Sequence, residues 1–596
     1  MRQLTTKYLE KKEENKYNLE IQCFKPFLSI SQKTKDDVIK EYIIYCVINI
    51  IKNNDTKIQK GWTIILNIFS EVHEQNNDNN LQKQILDILE HVALNNYKQI
   101  SEIFEQYINC LKLYVDKFPE KVNKIMENFI TKVENEKNFK ILINAFMKFL
   151  LNNNEFIRKK SLENLSKCFE SKFKLINSNL YELGKNPNFW KYLLNQVIIP
   201  TISEMIKKIS SLNSSTNINN ISISTFNSDK TPEPITKSLS NKDNNEEEPE
   251  GLNQKNNIEN EKNKFCMTLK DLLIQIVNIF NYFFSYNYKE LITFFESLEK
   301  IVFNEDEQIQ TAGLECVKYL NNCEKMKNQY FLETFSLFLI SLSNKSLEES
   351  MNNIELKDIE NCIKMHINNN LLNKNLSMSF VHFKVLNLLD KLLSQNIYFL
   401  NDEVLNKLLD CLEASIYISN NFNGNINLRF KITEYNQKIG NNFSKKNNEF
   451  ISDDEIFNLF KQFQMAYKNF YFIAEFLYNK DNGISNKQKY YKKIMEMSIK
   501  SIKIYNNKNK EFINLINKSN NEKEAKEKEA ELNNYVISLN DYIFPSIQKI
   551  EFYKDSQYRD IICKLFFDLI LCYDQRIREK VKDMLGVVFD VLYKNS

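Results

Sequence analysis

The sequence predicts an all-α chain of stacked helix pairs, a HEAT/armadillo-like α-solenoid with a long disordered insertion, and three observations predict it. Breakers are scarce: the 596 residues contain 8 Gly and 8 Pro, where average usage of about 12% would supply roughly 70. So few leave little room for strands and tight hairpins. Apolar residues recur at steps of three and four along most of the chain, which places them on one face of a helix. A local helix pattern also returns at distant positions, and helix pairs that cannot bury their faces alone share a core by stacking.

The stretch from Lys25 to Phe69 shows the unit and is expected to hold two helices and one turn. In the first helix Ile39, Ile43, Cys46, Val47 and Ile50 form the apolar stripe, with Asp36, Asp37, Lys40 and Glu41 on the outer face. Asn53, Asn54 and Asp55 interrupt it, since such side chains bond their own backbone in turns. Gly61 then precedes a second run through Trp62, Ile65, Leu66 and Phe69.

Composition bounds the function classes. Apolar residues make up 43% and aromatics 12%, ample for a long core. With 80 basic against 77 acidic residues the net charge is +3, which gives no sequence-wide case for nucleic acid or an anionic membrane. The longest apolar runs, from Leu272 and Ile561, are broken by polar residues and fall short of the roughly 18 a membrane span needs. Arg2, Lys7, Glu10 and Lys11 do not make a secretory signal. The 11 cysteines never form Cys-x-x-Cys and fit a reduced cytosolic compartment.

Taken in order, helical repeats are predicted over 1–210, with runs at Leu81–Leu94, Ile100–Phe118 and Val122–Val133 and a new element at Pro119. Phe189-Trp190 opens a helix that is expected to end at Pro200. The segment 211–264 carries Pro232, Pro234, Pro249 and an acidic run with almost no periodic apolar residues, and is predicted to be disordered. Helical repeats resume over 265–342, a polar loop is expected over 343–379, and repeats return over 380–505. A charged helix or linker over 506–540 precedes C-terminal helices over 541–596.

The recurring pattern is an isoleucine followed by a basic or amide residue and then core positions. It appears at Ile39-Lys40, Ile157-Arg158, Ile309-Gln310 and Ile577-Arg578, each after acidic or Asn residues suited to a helix N-terminus. The pattern resembles the second helix of HEAT repeats, and the uneven spacing leaves the register of the intervening repeats open.

Pro26-Phe27, Ile39, Cys46, Ile58, Gly61-Trp62, Ile65 and Phe69 resemble, at these spacings and without a gap, the segment downstream of the catalytic domain in the brefeldin A-inhibited (BIG) guanine nucleotide exchange factors for ARF GTPases. Phe189-Trp190 is similar to a second landmark of that family. The run from Leu408 to Arg429 resembles a third through Asp410, Cys411, Phe422, Asn423, Asn425 and Arg429, with Asp410 where the family usually has Glu. The resemblance covers Met1 to about Tyr478 and fades beyond.

Candidate sites for chemistry are few. Cys362 and His366 share a helix face, but zinc needs about four ligands, and Cys323 and His382 add none at a recognised spacing, so no metal site is expected. Cys46, Cys316 and Cys411 sit in apolar stripes with no histidine base placed by a motif. No phosphate-cradling glycine loop is present, so no cofactor is expected. Gly61-Trp62 reads better as close helix packing than as a binding anchor. Asn423 and Arg429 sit in a polar loop and either bind a partner or cap helix ends. Thr231-Pro232 offers a phosphorylation site in the insertion.

The resemblance implies a regulatory solenoid acting at the trans-Golgi, cytoplasmic and peripheral to the membrane. Its implied partners are an ARF-family or related small GTPase, a second copy of itself, and the Golgi membrane surface. It implies no catalysis by this chain, because the exchange reaction belongs to a separate domain whose motif has no counterpart here. Met1 aligns inside the family's domain series, so the sequence is expected to be part of a larger factor, the alternative being a stand-alone relative lacking the exchange domain. The competing class is a HEAT-like adaptor or transport receptor unrelated to ARF.

Overall fold

In the computed structural model the described residues are 3, 5–7, 16–75, 79–173, 180–224, 250–283, 288–351, 370–423, 453–478, 487–518 and 522–594. Among them every regular element is helical. The chain divides into two compact units, Met1–Ser297 and Leu298–Ser596.

The first unit begins with α1 (Lys16–Lys33), α2 (Asp37–Asn54), α3 (Trp62–Gln75) and α4 (Asn79–Asn95). It continues with α5 (Phe104–Leu113), α6 (Pro119–Lys132), α7 (Glu136–Phe149) and α8 (Glu155–Phe173). Each helix packs on the one two places along: α1 on α3, α3 on α5 and α5 on α7 in one layer, and α2 on α4, α4 on α6 and α6 on α8 in the other. That alternation is how stacked helix pairs build a continuous core. Side-chain bonds between successive pairs join residues about 40 positions apart, as in Asn152 to Asp116 and Asn96 to Asp55, so one repeat is about 40 residues.

The lysines in the last turn help to register the stack. Lys132 at the end of α6 donates to the Ala93 carbonyl at 2.8 Å, and Lys172 at the end of α8 donates to the Thr131 carbonyl at 3.0 Å. Each places a cation on the C-terminal end of the helix before it in the layer, where unpaired carbonyls and the dipole favour it.

Several expectations change here. The stretch 25–69 holds the end of a third helix, because α1 runs through Pro26 to Lys33. α5 stops at Leu113, short of the Phe118 end expected, and Pro119 opens α6 as its first residue, a position that needs no N–H. On α2 the outer face is misassigned by one residue: Lys40 is buried and Ile39 is 44% exposed.

Pro200 does not end its helix. α9 (Pro187–Tyr192) continues through a π-helical turn, Leu193–Ile198, into α10 (Ile199–Ser224). The widened turn lies just upstream of the proline, whose ring would crowd the carbonyl four residues back. Pro545 repeats the device in the second unit, after a π turn at Leu539–Ile543.

α10 and α11 (Glu250–Phe283) carry helix into both ends of the segment predicted to be disordered, while 225–249, with Thr231, lies outside the described residues. A helix already nucleated propagates into polar sequence at little cost per residue, which composition does not reveal. α12 (Tyr288–Val302) contains the boundary between the units.

The second unit holds α13 (Glu307–Asn321), α14 (Gln329–Met351), α15 (Asn370–Asn396), α16 (Asp402–Asn423) and α17 (Asp453–Tyr478). Then come α18 (Lys487–Lys518), α19 (Glu522–Ser538), α20 (Phe544–Lys549), α21 (Ser556–Leu569) and α22 (Gln575–Lys594). α13 packs on α15 and α15 on α17, while α14 packs on α16.

The expected polar loop at 343–379 is helical at both ends, in α14 and α15. Ser343 and Ser346 are fully buried there. The Ser346 hydroxyl donates to the Ser343 carbonyl at 2.8 Å, which satisfies the group inside the core. The charged segment at 506–540 is helical in α18 and α19, on either side of 519–521.

Candidate partner-binding surface

The landmark residues come first, and those that are described are mostly core. Trp62 is fully buried, its indole N–H donating to the Ile58 carbonyl at 3.2 Å. A Cβ on Gly61 would come within 2.9 Å of the Phe24 ring and 3.2 Å of Ile58. Glu20 on α1 closes the same turn: one carboxylate oxygen accepts from the Gln59 and Gly61 N–H groups at 3.0 and 3.1 Å. Gly61 is therefore the residue that lets α1 reach the start of α3; Phe27 on α1 is buried and Pro26 is half-buried.

Phe189 and Trp190 are likewise interior. Trp190 lies 5.5 Å from Phe280 and 6.4 Å from Phe169 by ring centroids, and donates to the Gly184 carbonyl. Cys411 is buried and Asp410 is exposed and paired with Lys493. Phe422 and Asn423 end α16 with side chains outside the described set; Asn425, Arg429, Cys362 and His366 lie outside the described residues.

The chemistry of a nucleophile or a metal is not assembled among the described residues. Burial pushes the thiols of Cys110 and Cys168 up to about 12 and that of Cys411 to about 11, and raises that of Cys316 further. A thiol held protonated does not act as a nucleophile. Cys46 is half-buried. His382 is fully buried, and His91 is turned outward on Asp55 at 2.9 Å. No group of three or more His, Cys, Asp or Glu could hold a metal among these residues, and none of the helices described is long and apolar enough to cross a membrane.

One face left open to a partner is the outer face of α2. Ile43, Ile44, Val47, Ile48, Ile50 and Ile51 are buried. On the opposite side Val38, Tyr42 and Tyr45 stand 72%, 71% and 56% exposed, at the spacing that lines them up along one face. Ile39 widens the row, and Glu41 borders it. Tyrosine couples apolar area to a hydroxyl handle at small rotamer cost, which suits a protein interface. Sequence reading missed this row because it sought a single stripe. The signal was present: the helix DVIKEYIIYCVINIIKNN is apolar on nearly every side, more than one buried face requires.

Comparison with known proteins finds two family models that match separate parts of the chain. Residues 7–91 match the family model described as Mon2/Sec7/BIG1-like, HDS, and residues 380–586 match the BIG2 C-terminal domain. The chain carries regions of a BIG-type ARF guanine nucleotide exchange factor, and the catalytic domain is not among the regions matched.

Among curated relatives, the Arabidopsis thaliana brefeldin A-inhibited guanine nucleotide-exchange protein 2 is 25% identical over 120 residues, 20% of this chain and 7% of the relative. Protein 1 of the same plant is 29% identical over 70 residues, 12% of this chain and 4% of the relative. The aligned segments thus span less than a tenth of those relatives. Among solved structures, a circular tandem repeat protein aligns over 97% of both chains at 10% identity and a TM-score of 0.26. Importin beta aligns over 97% of this chain and 64% of its own at 11% identity and a TM-score of 0.25.

Proposed function

We propose that this chain is a non-catalytic regulatory and scaffolding solenoid of a large ARF exchange factor in Golgi vesicle traffic. It works from the cytoplasmic side as a peripheral component, through contact with an ARF-family or related small GTPase. The observation that carries the reading is the exposed Val38, Tyr42 and Tyr45 row, which lies inside the segment matched by the HDS model. The family landmarks around it are spent on packing, so recognition falls to the residues that packing leaves over. With Cys411 and the other buried thiols held protonated and no metal-holding cluster among the described residues, the chain binds and positions; the exchange chemistry belongs to another domain.

The test is capture of purified GTPases by the immobilised chain. ARF loaded with a non-hydrolysable GTP analogue is expected to be retained, and a nuclear transport GTPase in the same state is not. Replacing Tyr42 and Tyr45 by Glu, with helicity checked by circular dichroism, is expected to weaken capture roughly tenfold or more. Equal retention of the nuclear transport GTPase would instead identify a HEAT-like transport receptor, and indifference to the Tyr42→Glu/Tyr45→Glu change would remove α2 as the surface.

A further inference from the structure

A second surface lies in the C-terminal unit, where α18 and α21 pack side by side and leave a groove of about 660 Å³. Its α18 wall is one stripe, Lys492, Glu496, Ile499, Lys500 and Lys503, whose steps keep them on a single helix face. Its α21 wall is Gln557, Tyr558 and Ile561. Tyr491 also lines the groove and meets Tyr558 edge-on, with ring centroids 5.6 Å apart.

The groove is lined by three lysines and two carboxylates, Glu496 and Asp555. Asp555 is committed as the N-cap of α21, accepting from the Gln557 and Tyr558 N–H groups at 3.0 and 3.3 Å. Glu496 lies 3.9 Å from Lys492, and Glu413 of α16 lies 3.5 Å from Lys500. Both are exposed pairs of the kind that solvent screens and a competing carboxylate displaces. Lys503 is exposed, and no ion pair joins it to a carboxylate among the described residues. Three ammonium groups thus rim a floor of Ile499, Ile561 and two tyrosine rings.

We propose that this groove docks an acidic linear segment of a protein partner. The cations supply the charge complement, and Ile499 with Ile561 supplies an apolar seat for one side chain between the acids. From Lys492 to Lys503 is about 16 Å along a helix, a span that roughly five residues of extended chain cover. A membrane surface is the less suitable occupant, because the lysines line a cleft between two helices. The inference stands apart from the ARF reading and does not depend on it.

Fluorescence anisotropy of the full chain with a labelled peptide of core sequence EELDE tests it, against the neutral core QQLNQ and against phosphatidylserine vesicles. Saturable binding of the acidic peptide is expected, weakened roughly tenfold or more by the double change Lys500→Glu/Lys503→Glu and by raising salt from ~50 to ~300 mM. An Ile561→Ser variant keeps the charges and is expected to weaken the acidic peptide by a smaller factor. All three positions are exposed or half-exposed, so folding is checked simply by an unchanged melting temperature. Equal binding of the two peptides, no effect of charge reversal, or binding to vesicles without the peptide would each overturn the proposal.

Discussion

At the scale of single residues, His382 sets how the core answers to acid. It is fully buried on α15, with Nδ1 3.0 Å from the Ser346 hydroxyl and 3.4 Å from that of Ser343. Nε2 has no hydrogen-bond partner among the described residues. Burial disfavours the charged ring and holds its pKa down at about 3. The unfolded chain takes up a proton near pH 6.5 that the folded chain refuses, so this residue costs stability as pH falls below about 6.5. Between about pH 6 and pH 4 the wild type is expected to lose about 1.4 kcal/mol per pH unit more than His382→Asn, whose amide keeps a hydrogen-bonding group beside Ser346 and does not titrate. Urea unfolding of both proteins across that range checks it, and parallel pH curves would contradict it.

Residue identity in the sequence told much less than residue type. Trp62 and Gly61 stood out because they are rare, and the packing reading of them agrees with the burial of Trp62 and the crowding of Gly61 by Phe24. Glu20, which closes the same turn from α1, carried no local signal: its contact spans 41 residues to Gly61. Lys40 was placed on the outer face because lysine seldom lies buried; in the fold it lies 3.8 Å from Asp37 at the start of α2.

At the scale of elements, the repeated isoleucine pattern marks a common helix start. Asp36, Asn154, Asp306 and Asp574 each cap a helix by accepting from the N–H two residues on. Four residues after each cap comes Lys40, Arg158, Gln310 or Arg578. In the two arginine copies Nη1 donates to the carbonyls five and six residues back, from Arg158 to Asn153 and Asn152 at 2.8 Å and from Arg578 to Tyr573 and Cys572 at 2.7 Å. The side chain thus holds the turn that joins one helix of the pair to the next.

Arg158 is the more enclosed, with Nε donating to Thr268 at 3.2 Å and the guanidinium 4.0 Å over Phe265. Arg158→Met is expected to cost about 2–4 kcal/mol in urea unfolding, since it removes the side-chain donors to two turn carbonyls and the stacking on Phe265. Arg578→Met, at a half-exposed site, costs less. A neutral Arg158→Met would show that the turn holds itself.

Helix periodicity made most elements legible, because a stripe is a local property. The ends of helices were not, where Pro200 is absorbed by a π turn and where polar sequence extends α10, α11, α14 and α15 beyond their apolar stripes. The register of the stack was also hidden, because the bonds that set it join residues about 40 apart, such as Lys172 to Thr131.

At the scale of the whole molecule, each unit is built from helices that bury one face on a neighbour and leave the other for contact, with no metal-holding cluster among the described residues. The function proposed for these faces is recognition of a GTPase, as distinct from exchange of its nucleotide. Nucleotide release from GDP-loaded ARF in the presence of purified residues 1–596 measures this difference directly. The account predicts release at the spontaneous rate at every concentration of the chain, together with retention of the GTP form. Acceleration that grows with the concentration of the chain would contradict it.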